Sequence, residues 1–332
     1  MKTTTAILCC ASLFAVACLS ACSTANDPAA AAPVAGSPPF NLAVIYPDAR
    51  DFPNDPAKAA EVIKKKAATN DAPAEFALGW ACALGAGVPQ DAVQATQFLE
   101  QAASQGHEEA MLSLGFLQFD APNINGESNN SPKPDPHWYD QGATKGNELA
   151  AEILRQQTNP AAAPPSSKLM QWYRKLANLG VPAAQVLQGR YNLVGTGGLA
   201  KNPQQALVWF LRADAQGSGA ADASIGIMYL QGDGVPQDST EAIKWLKKGA
   251  NRGAPLALAY LGQLTANGDG VAKNEVDGLA MMYAAQAQGT VVDAAALEQI
   301  EKRLNPNVLS AAKKRREEIL GPEKMRALQA AP

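Results

Sequence analysis

The chain has 332 residues, 47% of them hydrophobic and 18% charged, which is enough to bury a large core. Its 28 basic and 31 acidic side chains leave a formal net charge of −3, and no basic stripe of the kind that binds nucleic acid is present. Only two histidines occur, which excludes a three-histidine metal site and leaves little for a Ser-His-Asp arrangement. No catalytic residue, metal or cofactor is therefore predicted.

Residues 1–21 read as a targeting segment, with Lys2 ahead of the apolar run Ala6 to Leu19. The segment ends Leu19-Ser20-Ala21-Cys22, which resembles the bacterial lipobox. That resemblance implies cleavage before Cys22 and acylation of its thiol. Ser23, standing where Asp would imply inner-membrane retention, implies export to the outer membrane, facing the periplasm. The rival reading is an ordinary secretory signal cut near the same place. Cys9, Cys10 and Cys18 leave with the signal, so Cys82 stands alone and the mature chain has no intramolecular disulfide. Cys82 reads as a small buried hydrophobe, with a reactive thiol as the alternative. After the signal no stretch is long and apolar enough to span a bilayer.

Residues 22–40, rich in Ala, Pro and Ser, form a flexible tether with a mean reach of about 20–25 Å. A cap helix follows within 41–73, opening at Asp55 and Pro56 with Ala59 and Val62 on one face. Asn70 stands where a closing glycine would be, and Phe40 to Tyr46 is a short apolar piece packed on this helix.

Residues 74–289 repeat. Ile225-Gly226 recurs as Leu261-Gly262, Gly232-Asp233-Gly234-Val235 as Gly268-Asp269-Gly270-Val271, and Gly253 as Gly289, each pair 36 residues apart. One unit reads as two antiparallel helices. The first runs from about Ala220 to Gln231 and is stopped by Gly232 and Gly234. The second is capped by Asp238, with Glu241 extending it toward a capping box. Closing glycines at 106, 146, 180, 217, 253 and 289 mark six units. Eight residues before each stand Phe98, Trp138, Trp172, Trp209, Trp245 and Met281, the expected repeat core.

The units across 107–180 are degenerate, and the insert 120–136 is a surface loop by its Asn, Ser, Gly and Pro content. It is either tolerated drift or a binding edge. His107, just after Gly106, is expected at the surface, and His137 lies beside Asp135 and Trp138. The Gly-x-Gly-Val elements follow helices and lack a Walker lysine, so they are helix stops and not phosphate loops. Asn123 to Gly126 fails as a calcium loop, because Pro132 stands where a bidentate Glu is required. Residues 290–332 supply two capping helices, Asp293 to Leu304 and Asn307 to Leu320. Lys313–Glu317 and Lys314–Glu318 at i, i+4 make a solvated charged face the default for the second. A docking patch for anionic lipid or glycan is the alternative.

The unit pattern, Leu-Gly, then Gly-x-Gly-Val, then an acidic cap, Trp and a terminal Gly, resembles the Sel-1-like repeat family, relatives of the tetratricopeptide repeats. That resemblance covers about residues 55–290 and implies an all-α, right-handed α-solenoid of antiparallel helix pairs. First helices line the partner-binding surface in this family. On that basis the residues just after the helix glycines, Trp80, Phe116, Arg190, Ile227 and Gln263, are the candidate groove. The function so implied is a lipid-anchored, non-catalytic envelope scaffold for a protein or peptide partner, or a purely structural part of an envelope complex. The alternative is a cell-wall or β-lactam-binding or hydrolysing protein; cysteine-rich relatives linked to penicillin carry a disulfide in each unit, and none exists here.

Overall fold

The computed structural model describes residue 46 and residues 55–120, 137–159, 164–290 and 292–330. Cys22, the tether and the insert beyond Asp120 lie outside the described residues. Within them every regular element is a helix. The leading cap is α1 (Pro56–Ala67), and the units pair α2 (Ala72–Leu84) with α3 (Ala92–Ser104) and α4 (Glu108–Gly115) with α5 (His137–Thr144). Next come α6 (Glu148–Thr158) with α7 (Ser167–Asn178), α8 (Pro182–Val194) with α9 (Pro203–Asp214), and α10 (Gly219–Gln231) with α11 (Ser239–Asn251). The last unit is α12 (Pro255–Asn267) with α13 (Glu275–Ala287), closed by α14 (Ala294–Glu301) and α15 (Pro306–Ala330), which breaks at Gly321, where φ is 73°. Helix α4 runs on into a π-helical turn, Phe116–Asp120.

Each helix packs mainly on its chain neighbours; α10 also touches α12, and α13 rests on α15. This nearest-neighbour stacking is how a solenoid hides faces that no single hairpin could bury. The ends of the helices follow local chemistry. Asp238 Oδ1 accepts from the amides of Thr240 at 2.8 Å and Glu241 at 3.1 Å, capping α11. The expected capping box does not close. The Asp238 amide is taken by the Tyr229 carbonyl, and Glu241 is drawn instead to the Lys244 ammonium at 2.5 Å. Helix α10 stops at Gly232, whose φ of 73° is left-handed and costs an L side chain energy. Asn70 stands in place of the closing glycine after α1, with φ 63°, the one positive φ outside glycine among the described residues. Asparagine is the side chain that tolerates this region best.

The deepest position of the repeat is displaced from the expected one. Leu99, Tyr139, Phe210, Leu246 and Met282 are fully buried or nearly so, and Tyr173 is buried beside them. Each stands one residue after the expected core position. Of the expected set, Trp172 and Trp209 are buried, whereas Phe98, Trp138, Trp245 and Met281 are only half-buried. The reason is the helix glycine on the first helix. A Cβ built on Gly226 would lie 2.8 Å from Leu246 Cγ, and one on Gly189 would lie 2.5 Å from the Phe210 ring. The missing methyl is the socket, and the side chain after the tryptophan fills it. The bulkier indole lies beside it under a cation, with Lys248 Nζ over the half-buried Trp245 ring at 4.4 Å and the Arg212 guanidinium over the buried Trp209 ring at 4.7 Å.

Candidate partner-binding face

A first helix packs on its own second helix and on the second helix of the unit before it, and α10 also meets α12. What remains accessible is a narrow stripe. On α8 it is Leu187, Arg190 and Leu193, spaced i, i+3, i+6, all half-buried. On α10 the corresponding position is Ile227, and on α12 Tyr260 and Gln263 continue the line, again half-buried. Arg190, Ile227 and Gln263 therefore lie on one face of the last three units.

The other two candidates do not join them. Trp80 and Phe116 are fully buried. The Phe116 ring packs edge-on against Trp172 at 5.8 Å and tilted against Tyr173 at 6.0 Å, and Trp80 belongs to the same apolar cluster. In these early units aromatic bulk closes the stripe that later units leave open. His107 also departs from its expected surface position. Its ring stacks on Phe76 at 4.6 Å, its Nδ1 accepts from the Ala110 amide at 3.2 Å, and burial lowers its pKa. His137 is exposed, 2.9 Å from the Gln141 amide. Cys82 is a buried free thiol whose pKa burial raises, which disfavours the nucleophilic thiolate. Among the described residues no three metal-ligating side chains come together, and no helix is long and apolar enough to cross a membrane.

A recurring polar clasp lies beneath the face, outside the glycine and tryptophan motifs of the repeat. Four residues before the helix glycine stand Glu75, Gln185 and Asp222, all buried. The residue just before the closing glycine reaches back to each. Gln105 Nε2 donates to Glu75 at 2.5 Å, Gln216 Nε2 to Gln185 at 2.9 Å, and Arg252 Nη1 to Asp222 at 2.8 Å. Each bond ties the start of a first helix to the end of its second helix. The signal was available as a polar residue inside an otherwise apolar helix, facing another polar residue 30 or 31 positions later.

In the fifth unit this clasp becomes a charge cluster. Arg252 Nη1 donates to Asp214 at 2.7 Å as well as to Asp222, and Lys248 Nζ pairs with Asp214 and lies 3.4 Å from Asp222. Burial, and the proton shared with Asp214, push the Asp222 carboxyl up to about 6. Burial also raises Asp214, but its bonds from Lys248 and Arg252 outweigh that and pull it below the ordinary range. Folded Asp222 thus holds its proton more tightly than the unfolded chain, whose carboxyl titrates near ~3.9. Its stabilising contribution is complete below that value and is lost as pH rises through about 6. Asp214 works in the opposite sense, below pH ~4, outside this window. Asp222→Asn fixes the neutral form, so its melting temperature should gain on the wild type between pH 5 and pH 7. A difference that is the same at both pH values would show that Asp222 does not titrate in the folded protein.

The Sel1 repeat pattern matches residues 72–107, 170–181, 182–218, 220–253 and 255–289. The second unit and the first helix of the third, α4 to α6, fall in the unmatched stretch, where the insert and Phe116 also lie. Among curated proteins nothing matches the chain. Among solved structures, a protective antigen of uropathogenic Escherichia coli with this repeat fold is 25% identical over 83% of this chain, with TM-score 0.48. The chain spans 58% of that protein's length. A Sel1 repeat protein from Oxalobacter formigenes is 23% identical, covering 69% of this chain and 93% of its own, with TM-score 0.40. A third, described as a Sel1 repeat protein from Klebsiella pneumoniae subsp. pneumoniae, is 15% identical, covering 73% of this chain and 98% of its own, with TM-score 0.31. Five matched repeats, and paired helices stacked layer on layer in the same register, make this chain a member of the Sel1-repeat family.

Proposed function

We propose that the chain is a non-catalytic scaffold whose first-helix face on α8, α10 and α12 receives a protein or peptide partner. The observation that carries this reading is the line of half-buried side chains, Arg190, Ile227 and Gln263, on helices otherwise packed on every other side. Solenoids use such layered faces for binding, because each added unit extends the surface without changing its chemistry. Pull-down from an envelope extract with the immobilised protein tests it. Ile227→Asp should lose at least ten-fold of the recovered partner while the far-ultraviolet spectrum and melting temperature hold. Equal recovery by the folded variant would remove the face from the mechanism.

The address belongs to the same proposal. Leu19-Ser20-Ala21-Cys22 supports acylation of Cys22 and retention at the outer membrane, with the solenoid held near the surface by its tether. Several acyl chains on one cysteine anchor firmly, since each buried CH₂ contributes about 0.8 kcal/mol. Metabolic labelling with an alkyne palmitate should mark the wild type and leave Cys22→Ser unmarked. Label persisting in that variant, or absent from both proteins, would rule out the anchor.

A further inference from the structure

Half-buried cations in this protein are matched by partners. Lys175 Nζ meets Glu109 at 2.7 Å, Lys248 meets Asp214, Arg316 Nη2 lies 3.9 Å from Glu317, and Arg212 covers the Trp209 ring. Arg190 is different. Among the described residues its guanidinium has no carboxylate, carbonyl or ring partner, although it sits on the accessible stripe of α8 with Leu187 and Leu193 to either side. Burial lowers its pKa, and only the neighbouring Tyr191 acts against that. A cation partly stripped of water and left without a counter-charge is costly unless something arrives to pair with it. A planar fork of donors is matched best by a carboxylate, which it can hold through two parallel bonds.

The layers on either side set the shape of what could bring one. Successive first helices stand about 8–10 Å apart when they pack side by side, and α10 and α12 are in direct contact. A peptide in the polyproline II conformation turns once every three residues and advances about 9 Å per turn. Its side chains at positions i and i+3 therefore face the same way at the spacing of α10 and α12.

We propose that Arg190 pairs with an acidic side chain of an extended peptide from a partner protein, and that an apolar residue further along the peptide meets Ile227. A polar residue a further three along faces Gln263. The inference rests on the scaffold reading above and narrows its partner to a segment with an acidic residue ahead of an apolar-x-x-polar run.

The experiment uses the full chain in detergent and a display library of random dodecapeptides, selected in parallel on wild type, Arg190→Gln and Arg190→Glu. Enriched peptides on the wild type should carry Asp or Glu on the N- or C-terminal side of an apolar-x-x-polar run. A fluorescein-labelled winner should lose at least ten-fold in affinity on Arg190→Gln and weaken with added salt. Arg190→Glu should select Lys or Arg at the same position. Winners without an acidic residue, bound equally by folded Arg190→Gln, would overturn the carboxylate assignment and leave the scaffold standing. If nothing is enriched on any of the three proteins, the scaffold reading and the proposal fail together. Binding to phosphatidylglycerol vesicles that Arg190→Gln abolishes, with no acidic peptide selected, would assign the cation to lipid and overturn the peptide.

Discussion

Phe210→Ala should destabilise the fourth unit by about 3–5 kcal/mol, the range for deleting a buried phenylalanine. The ring is fully buried and rests on the bare backbone of Gly189, where an added Cβ would stand 2.5 Å from its edge. Removing the ring leaves α8 and α9 facing each other across an apolar void. The glycine that makes the socket allows a sharper test. Gly189→Ala alone should also destabilise, because its methyl meets the ring. With Phe210→Ala in the background the same methyl enters empty space. The double variant should then be less destabilised than the two singles summed, by at least about 0.5 kcal/mol, as expected for residues in contact. Strict additivity in a denaturant titration would show that the ring does not seat on this glycine.

The second large effect belongs to Gly278. A Cβ there would stand 2.5 Å from the Ala266 amide nitrogen and 2.7 Å from the Gly262 carbonyl oxygen, both backbone atoms that cannot swing aside. Helices α12 and α13 touch main chain to main chain at this crossing. Gly278→Leu must therefore part the helices, at about 3 kcal/mol or more, the upper end for an overpacked core. Because α15 rests on α13, the cap should loosen with it. Hydrogen exchange should quicken in α12, α13 and α15 together and stay unchanged in α2 and α3. Protection unaltered in α15 would separate the cap from the sixth unit.

Much of this fold was legible because glycine has few substitutes. A left-handed stop and a socket under a large side chain both demand it, so the 36-residue echo of Gly226, Gly232 and Gly253 in Gly262, Gly268 and Gly289 exposed the layers at once. Tryptophan misled the core assignment by one residue for a physical reason. It is conspicuous and amphipathic, so in Trp138 and Trp245 it stays half-buried at the rim of the helix pair, while Leu246 beside Trp245 is plain and fills the socket. The candidate face was half legible. Position relative to the helix glycine located Arg190, Ile227 and Gln263. It could not show that Phe116 meets Trp172 and Tyr173 across units, a contact between residues more than fifty apart along the chain. The clasp of Glu75, Gln185 and Asp222 was written plainly enough, but a polar residue in an apolar helix acquires meaning only when its partner is seen.

The apolar interior is not evenly divided along the chain. One continuous cluster runs from Phe76 through Phe116, Trp172 and Tyr191 to Trp209, whereas beyond it the interior breaks into smaller groups confined to adjacent units. A processive protease that grips the C-terminus and pulls would free the later hairpins one at a time, each release needing only a small, local rupture. Near α9 it would meet a block that must give way all at once. Partial digestion would then leave a persistent fragment from the N-terminal side, ending close to residue 215.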